Sequence, residues 1–162
     1  MDNLIGKAAK VIKSILYINI ASITPNGKPW NSPVYCAFDK NLNYYWFSWK
    51  ENQHSENIRN NPNIFVTIYD STVPASTDFG VYFEGKAYEL SNPKEILAGI
   101  KEIYNREKRK PKDVIQFLKK FPRRVYKFIP EKVWVNGEEE IDGNYIDNRI
   151  ELDLEKLKVT LA

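Results

Sequence analysis

The sequence predicts an α+β protein, mainly β-structure, in which a small antiparallel barrel carries helices at its margins. Two observations support this class. Five or six short stretches rich in β-branched and aromatic residues are separated by turn signals such as Thr24-Pro25-Asn26-Gly27. Stretches with helical spacing of apolar residues lie before and between them. The length of 162 residues fits one domain. We expect that domain to span residues 1–138, with residues 139–162 as a C-terminal tail.

The first 49 residues predict one helix followed by an antiparallel meander of three strands. Apolar residues at helical spacing place the helix at residues 2–14. Pro33 lies inside the second strand, which indicates an edge, a bulge or a ligand-facing stretch, because proline lacks the N–H that a central strand donates. The three strands are expected at residues 16–23, 30–38 and 42–49, joined by short turns.

The remaining part of the domain is expected to contain a helical insertion at about residues 92–121. Asn92 is a good N-cap for its first helix, Pro93 suits the first helical position, and Glu95 completes a capping box. A second helix is expected at residues 111–120. Around the insertion we expect a polar helix at 52–60, strands at 63–70, 79–90, 123–129 and 133–135, and a loop at 71–78. The stretch 141–162 would form an extra strand or an arm across a partner subunit.

Charge is distributed unevenly along the chain. Residues 1–100 are neutral, whereas residues 101–127, here called the basic segment, carry eleven basic and three acidic side chains. Residues 131–162 carry four basic and nine acidic ones. A basic segment invites a nucleic-acid partner, but its aromatic residues lie at core spacing rather than among the lysines, where stacking platforms would lie. We therefore favour the interpretation that the basic segment is a solvated surface. Its charge would be balanced by the acidic tail of the same molecule or of a partner subunit.

Composition and motifs exclude several kinds of site. One histidine and one cysteine cannot build a zinc site of the usual ligand count, so no metal is expected. Walker, Rossmann and nucleophile-elbow motifs are absent from the sequence. No run of about 18 apolar residues is available to span a membrane, and no signal peptide is evident. The single Cys36 cannot form an internal disulfide, which fits a cytoplasmic protein. A cofactor would have to supply any redox chemistry.

The stretch 30–70 carries most of the information about function. It contains Asn31-Ser32-Pro33-Val34 in the second strand, Tyr45-Trp46-Phe47-Ser48 at the end of the third, and then the loop and helix 52–60 closed by Asn61-Pro62. Together with the stretches 80–87 and 128–134, this order and spacing resemble the FMN-binding split-barrel family, the relatives of pyridoxamine 5′-phosphate oxidase. The resemblance covers residues 10–136 and implies a split β-barrel, antiparallel, six-stranded and Greek-key-like.

The same resemblance implies FMN as cofactor and a homodimer with flavin sites at its interface. The second strand would lie along the isoalloxazine ring, the end of the third strand would lie near the ring and ribityl chain, and the next loop would hold the phosphate. The partner subunit would contribute Trp134 and residues near Gly80. The implied cofactor-binding residues are Asn31, Ser32, Pro33, Val34, Tyr35, Phe47, Ser48, Lys50, Gln53, His54, Ser55 and Trp134. No residue is implied as a catalytic acid or base.

The phosphate loop departs from the family pattern. Gln53 and His54 occupy the positions of the usual Arg-Lys pair, and Asn31 occupies that of the usual arginine on the second strand. A phosphate carries close to two negative charges near neutral pH, and Gln53 offers it only neutral donors. His54 has an ordinary pKa of about 6.5, so a bound phosphate could keep it protonated. The N-terminus of the short helix and the hydroxyl of Ser55 would add donors.

Three functions from different classes remain open at this point. The first is an FMN-dependent oxidoreductase acting on a small-molecule redox substrate. The second is a non-catalytic flavin or haem binding or storage protein, in which His54 is the one histidine that could bind haem iron. The third is nucleic-acid binding through the basic segment. Pyridoxamine 5′-phosphate oxidase activity is not expected, because the stretch 133–138 lacks that enzyme's arginine-bearing region and Glu138-Glu139-Glu140 would repel a phosphorylated substrate.

Overall fold

The computed structural model describes residues 1–74 and 79–162 as eight strands and four α-helices. The predicted loop at 71–78 lies partly outside the described residues. None of the helices in the described part of the chain combines the length and apolarity needed to cross a membrane. The helices are α1 (Asp2–Ser14), α2 (Gln53–Asn60), α3 (Pro93–Glu107) and α4 (Leu154–Leu161). The strands are β1 (Tyr17–Ile23), β2 (Pro29–Tyr35), β3 (Ala37–Phe38), β4 (Tyr44–Trp49), β5 (Asn63–Ile68), β6 (Val81–Glu89), β7 (Arg123–Ile141) and β8 (Asn144–Leu152).

The strands form one antiparallel sheet in the order β2-β1-β5-β6-β7-β4-β3, and β8 pairs with the C-terminal half of β7. The predicted class, an antiparallel α+β split barrel, is confirmed. The barrel is not closed by hydrogen bonds, because β2 lies at one end of the strand order while β3 and β4 lie at the other. Pro33 lies in the terminal strand β2, opposite Asn19 of β1, where its missing N–H costs no second ladder.

The two antiparallel pairings of the predicted meander are present, β1 with β2 and β3 with β4, but the predicted continuous second strand and the number of six strands are wrong. The stretch that follows β2 stops pairing beside β1 after Cys36, whose N–H still donates to the carbonyl of Leu16. The chain then crosses the barrel to the opposite end of the sheet. The predicted second strand is therefore split into β2 and β3. Leu42, predicted to begin the third strand, instead lies in a turn with a φ of 60°. A single extended stretch of this kind does not show where a chain changes partner strands.

The predicted second helix at 111–120 is also wrong. Only a short 3-10 helix, Val114–Phe117, forms there, and Asp113 caps it by accepting a hydrogen bond from Ile115 N–H. Phe117 is buried, but Ile115 is 45% exposed. Prolines at 111 and 122 leave too little chain for an extended helix, because a residue before proline avoids helical angles.

Two hydrophobic clusters position the rest of the molecule. The larger cluster fills the barrel with the aromatic rings of Tyr44, Trp46, Phe83 and Phe128, and α1 and α4 cover one of its ends. The smaller cluster lies between α3, the 3-10 helix and the outer side of β4 and β7, and includes Tyr45, Ile100 and Phe117. The helical insertion is thereby held against the strands that flank the opening of the barrel.

The C-terminal residues fold back onto the same sheet. β8 pairs with β7 from Val133–Leu152 at one end to Ile141–Asn144 at the other. Asp153 caps α4 by accepting hydrogen bonds from the N–H groups of Glu155 and Lys156, and Leu157 and Leu161 join the core of the barrel. Beyond the barrel, the stretch 138–149 is exposed at every position.

Candidate functional site

The opening between β2 and β4 holds a polar pocket of about 270 Å³. Two walls come from the strands that approach there without pairing, and the third comes from α2, α3 and the start of β7. Six of the residues proposed from the family resemblance lie together in it, namely Pro33, Val34, Tyr35, Phe47, Ser48 and His54. Asn52, Ile103, Glu107 and Arg123 complete the lining. Residues far apart in sequence therefore meet at the point where the barrel is split.

Ser48 is the centre of the hydrogen-bonded group in this pocket. Its Oγ lies 2.8 Å from Nε2 of His54 and 2.9 Å from Nδ2 of Asn52, which donates to it. Both Ser48 and His54 are buried, with 5% and 8% of their surfaces exposed. A neutral His54 can accept the hydroxyl proton of Ser48 at Nε2. The three side chains thus form one short chain of donors and acceptors.

The position of His54 is fixed by the way α2 is attached to the barrel. Asn57, fully buried one turn after His54, donates to Oγ of Ser22 on β1 at 2.9 Å. The hydroxyl of Ser55 donates to the carbonyl of Trp49 at 2.8 Å. Arg59 forms an ion pair with Glu89 on β6 at 3.0 Å. These contacts hold the N-terminal turn of α2 against the end of β4, where Ser48 lies.

Burial lowers the pKa of His54 from its ordinary value of 6.5, because the charged imidazolium loses solvation. The imidazole is therefore neutral at pH 7 in the protein alone. The loop predicted to hold the phosphate therefore contributes no permanent positive charge to the pocket through His54.

Arg123 supplies that permanent charge. It is the first residue of β7, pairs with Trp49 of β4 and lines the pocket beside Ser48 and His54. Its guanidinium also lies 5.6 Å from the ring centre of Phe47, which stacks on Phe117 at 4.6 Å. The sequence analysis counted Arg123 only as part of the basic segment. A correct register between β4 and β7 would have placed Arg123 opposite Trp49, the residue after Ser48, and so beside the pocket.

Other residues proposed from the resemblance lie away from this pocket in the same subunit. Asn31 lines a separate cavity with Phe65 and Glu84 on the outer face of the sheet. Gln53 faces the β1–β2 turn, and its amide donates to Asn57 at 2.9 Å. Lys50 forms an exposed ion pair with Glu51 at 3.4 Å. The hydroxyl of Ser55 is used by the backbone of Trp49, and that of Ser32 accepts from the indole of Trp30 at 3.1 Å.

Trp134 belongs to an aromatic surface on the outer face of the sheet. Its ring stacks on Phe65 at 6.2 Å, and Phe65 contacts Tyr82 at 6.4 Å. Arg149 of β8 places its guanidinium 3.9 Å from the ring centre of Tyr82. All three rings are partly exposed. We call this group the outer aromatic face.

The comparisons with known proteins agree with this architecture. A family model described as pyridoxamine 5′-phosphate oxidase matches residues 4–137. The chain belongs to the pyridoxamine 5′-phosphate oxidase family. The match covers the barrel, the opening and every residue proposed above from the resemblance. No curated protein matches the sequence.

Solved structures of the same fold have diverse descriptions. A heme binding protein from Mycobacterium smegmatis has a TM-score of 0.68 and 14% identity, over 96% of this chain and 60% of that one. HutZ, a heme storage protein from Vibrio cholerae, has a TM-score of 0.65 and 14% identity, over 80% and 92%. A Listeria innocua protein described as a candidate pyridoxamine 5′-phosphate oxidase has a TM-score of 0.61 and 19% identity, over 87% and 99%. The chain thus spans less than two thirds of the mycobacterial protein, and at these identities the likeness concerns the fold.

Proposed function

We propose that the chain is an FMN-binding split-barrel protein that uses the flavin as an oxidoreductase acting on a small-molecule redox substrate. The observation that carries this proposal is the meeting of Ser48, Asn52, His54 and Arg123 in one pocket under Pro33 and Tyr35. Hydroxyl, amide and guanidinium groups are the donors that a phosphate accepts from. FMN, when bound, supplies hydride or electron transfer.

The donors in the pocket fit a phosphate, with Arg123 in place of the missing Arg-Lys pair, and the phosphate would have to lie on the Arg123 side, away from the carboxyl group of Glu107. The Ser48 hydroxyl can donate to an anion only when His54 carries a proton on Nε2. When Nε2 is unprotonated, it accepts the hydrogen bond from the Ser48 hydroxyl itself. A phosphate beside Ser48 therefore favours the protonated Nε2. Gln53 plays no part in this arrangement, since its amide is bonded to Asn57.

The size of the pocket indicates that it holds one end of the cofactor. Its volume of about 270 Å³ lies just below the range of roughly 300–1,000 Å³ that is usual for small-molecule sites. The remainder of the flavin would lie along β2, where Pro33 and Tyr35 face the opening. Additional walls must then come from outside this subunit.

A homodimer would supply these walls. The outer aromatic face presents Phe65, Tyr82 and Trp134 together with Arg149, and aromatic residues with arginine are the types enriched at the centres of interfaces. Asn31, on the same face of the sheet as Phe65, would then approach the partner.

The lone Cys36 is buried, and this burial raises the pKa of its thiol to about 12. Such a thiol stays reduced, which suits the cytoplasm.

The first experiment is a visible absorbance spectrum of the purified protein, with the released chromophore identified by mass. A flavin spectrum with FMN released supports the proposal, and a protein that is colourless and refuses added FMN contradicts it. Oxidation of pyridoxamine 5′-phosphate is expected to be absent, and efficient turnover would overturn that expectation.

The role of Arg123 is tested by titrating FMN into the Arg123→Gln variant. Removing a charged hydrogen bond is expected to raise the Kd about 10- to 100-fold. Lys94→Gln is the matched control, because it also removes one positive charge, at an exposed position outside the pocket. Equal affinities in both variants would show that Arg123 does not contact the cofactor.

Haem is the second candidate ligand, favoured by the heme binding and heme storage proteins of the same fold. His54 is the single histidine of the chain, so it would have to give up its bond to Ser48 to bind iron. His54→Ala should abolish haem binding and only weaken FMN binding. Haem binding that survives this substitution would rule out histidine ligation, and unchanged FMN affinity would remove His54 from the flavin site.

A further inference from the structure

The hairpin at the end of the sheet is exposed on both strands. Its residues 136–149 pair with one another from Asn136–Arg149 to Ile141–Asn144, and we call them the acidic ribbon. They include five acidic residues and one arginine. Ile141, Ile146 and Tyr145 are 45%, 45% and 77% exposed. An isolated two-stranded ribbon is marginally stable in water, so uncovered apolar side chains on it indicate a surface that is covered in the assembled protein.

The ribbon cannot neutralise the basic segment of its own subunit. β7 begins at Arg123, where the basic segment meets the sheet, and the ribbon begins at Asn136 on the same strand. That length of strand spans up to about 40 Å at roughly 3.3 Å per residue, well beyond the screening length of about 10 Å at moderate salt. Within the described residues, no ion pair joins the two regions.

The basic segment offers a surface of matching character. Lys110, Lys112 and Lys120 are exposed there without an ion pair among the described residues. Ile115, 45% exposed on the 3-10 helix, lies between them in sequence. An exposed apolar residue flanked in sequence by lysines thus complements exposed apolar residues flanked in sequence by carboxylates.

We propose that the acidic ribbon of one subunit docks on the basic segment of a second copy of this chain. The two regions lie at opposite ends of β7, so a two-fold axis that runs the two β7 strands in opposite directions creates this contact twice. Each ribbon then reaches the end of the partner where Arg123 lines the pocket. This docking requires a second copy but not a bound flavin, so it stands or falls independently of the cofactor.

Charge reversal tests the docking. One variant carries Glu138→Lys, Glu139→Lys and Glu140→Lys on the ribbon, and the other carries Lys110→Glu, Lys112→Glu and Lys120→Glu on the basic segment. Each alone places like charges against each other in both contacts and should raise the dimer Kd at least about tenfold in sedimentation equilibrium. In an equal mixture, both contacts of the mixed dimer regain opposite charges. Native mass spectrometry should then show the mixed dimer in excess over either homodimer.

The controls separate this docking from a general effect of charge. Lys10→Glu, Lys13→Glu and Lys94→Glu change the net charge as much as the basic-segment variant does, at exposed positions on α1 and α3, and should leave the dimer Kd unchanged. Thermal unfolding verifies that each variant is folded. A monomeric wild type, reversals without effect, or a mixture with no preference for the mixed dimer would each overturn the proposal. So would a wild type that binds single-stranded DNA through the basic segment without self-association.

Discussion

At the scale of single residues, the pocket combines the guanidinium of Arg123 and the carboxyl group of Glu107 with hydrogen-bonding groups that exchange a proton. Arg123 contributes a guanidinium, a group that stays protonated in proteins. His54 is neutral at pH 7 because burial lowers the pKa of its imidazole. The bond between Ser48 and His54 therefore depends on pH, whereas the charge of a guanidinium does not.

This difference predicts how stability depends on pH. Because the pKa of His54 is lower in the folded protein than the 6.5 of the unfolded chain, the unfolded chain binds more protons below that value. The free energy of unfolding should consequently decrease as the pH falls from about 6.5 to the folded pKa of His54. Above about pH 6.5 this contribution to the free energy of unfolding should be constant.

Denaturant unfolding at several pH values between 8 and 5 measures this effect in the wild type and in His54→Gln. The variant lacks the titrating group but retains an acceptor for Ser48, and no other histidine exists to titrate in this window. Its stability should fall less than that of the wild type over the same interval. Parallel curves for the two proteins would show that the pKa of His54 is not lowered.

The residue scale also shows what sequence reasoning can and cannot find in a site. Pro33, Phe47, Ser48 and His54 were found because they lie in short motifs whose order resembles a family. Arg123 was missed because its contribution depends on the register between β4 and β7, which joins residues some 75 positions apart. Charge patterning placed it in a surface segment, and only the paired strands show that it reaches the pocket.

At the scale of elements, the irregularity between β6 and β7 shapes the barrel. The register shifts between Glu84 and Gly85, where Gly85 pairs with Pro130. A Cβ on Gly85 would overlap the carbonyl oxygen of Ile129 and would lie 2.9 Å from Cα of Pro130. Glycine is therefore required by the close approach of two backbones at this bulge.

Gly85→Ala should lower the free energy of unfolding by about 1–3 kcal/mol, the usual cost of overpacking a filled interior. Gly6→Ala is the control, because a Cβ there meets nothing within 4 Å and alanine favours the helix by up to about 1 kcal/mol. Urea unfolding of both variants measures the difference. A Gly85→Ala variant as stable as the wild type would mean that the two strands can separate at the bulge without cost.

Elements with strong local signals were predicted well, and those that depend on distant partners were not. α1 has the predicted bounds, and α3 begins at Pro93 behind the predicted cap Asn92, whose side chain accepts from Lys94 N–H. The helix predicted at 111–120 failed because apolar spacing alone did not reveal how little chain the flanking prolines leave. The change of partner strand at Cys36 was not predicted, because β2 and β3 are both extended and only one residue separates them.

At the scale of the whole molecule, β7 divides the charge of the chain between two ends. The basic segment ends within its first five residues, and the acidic ribbon includes its last ones. Such a molecule has a large dipole moment, and two copies attract each other most strongly when they approach in opposite orientations. Self-association should therefore weaken as the ionic strength rises.

The same strand sets the order in which the protein folds. β1 pairs with β2, and β5 with β6, across short stretches of chain, and β1 pairs with β5 across 44 to 48 positions. β4 pairs with β7 across 74 to 84 positions, and closing this longest loop lowers the rate through lost chain entropy. Phe47 and Ser48 on β4 meet Arg123 on β7 only in that last step. We therefore expect the pocket to be the latest part of the protein to form, so that ligand binding would stabilise the slowest-forming ladder and slow unfolding more than it speeds folding.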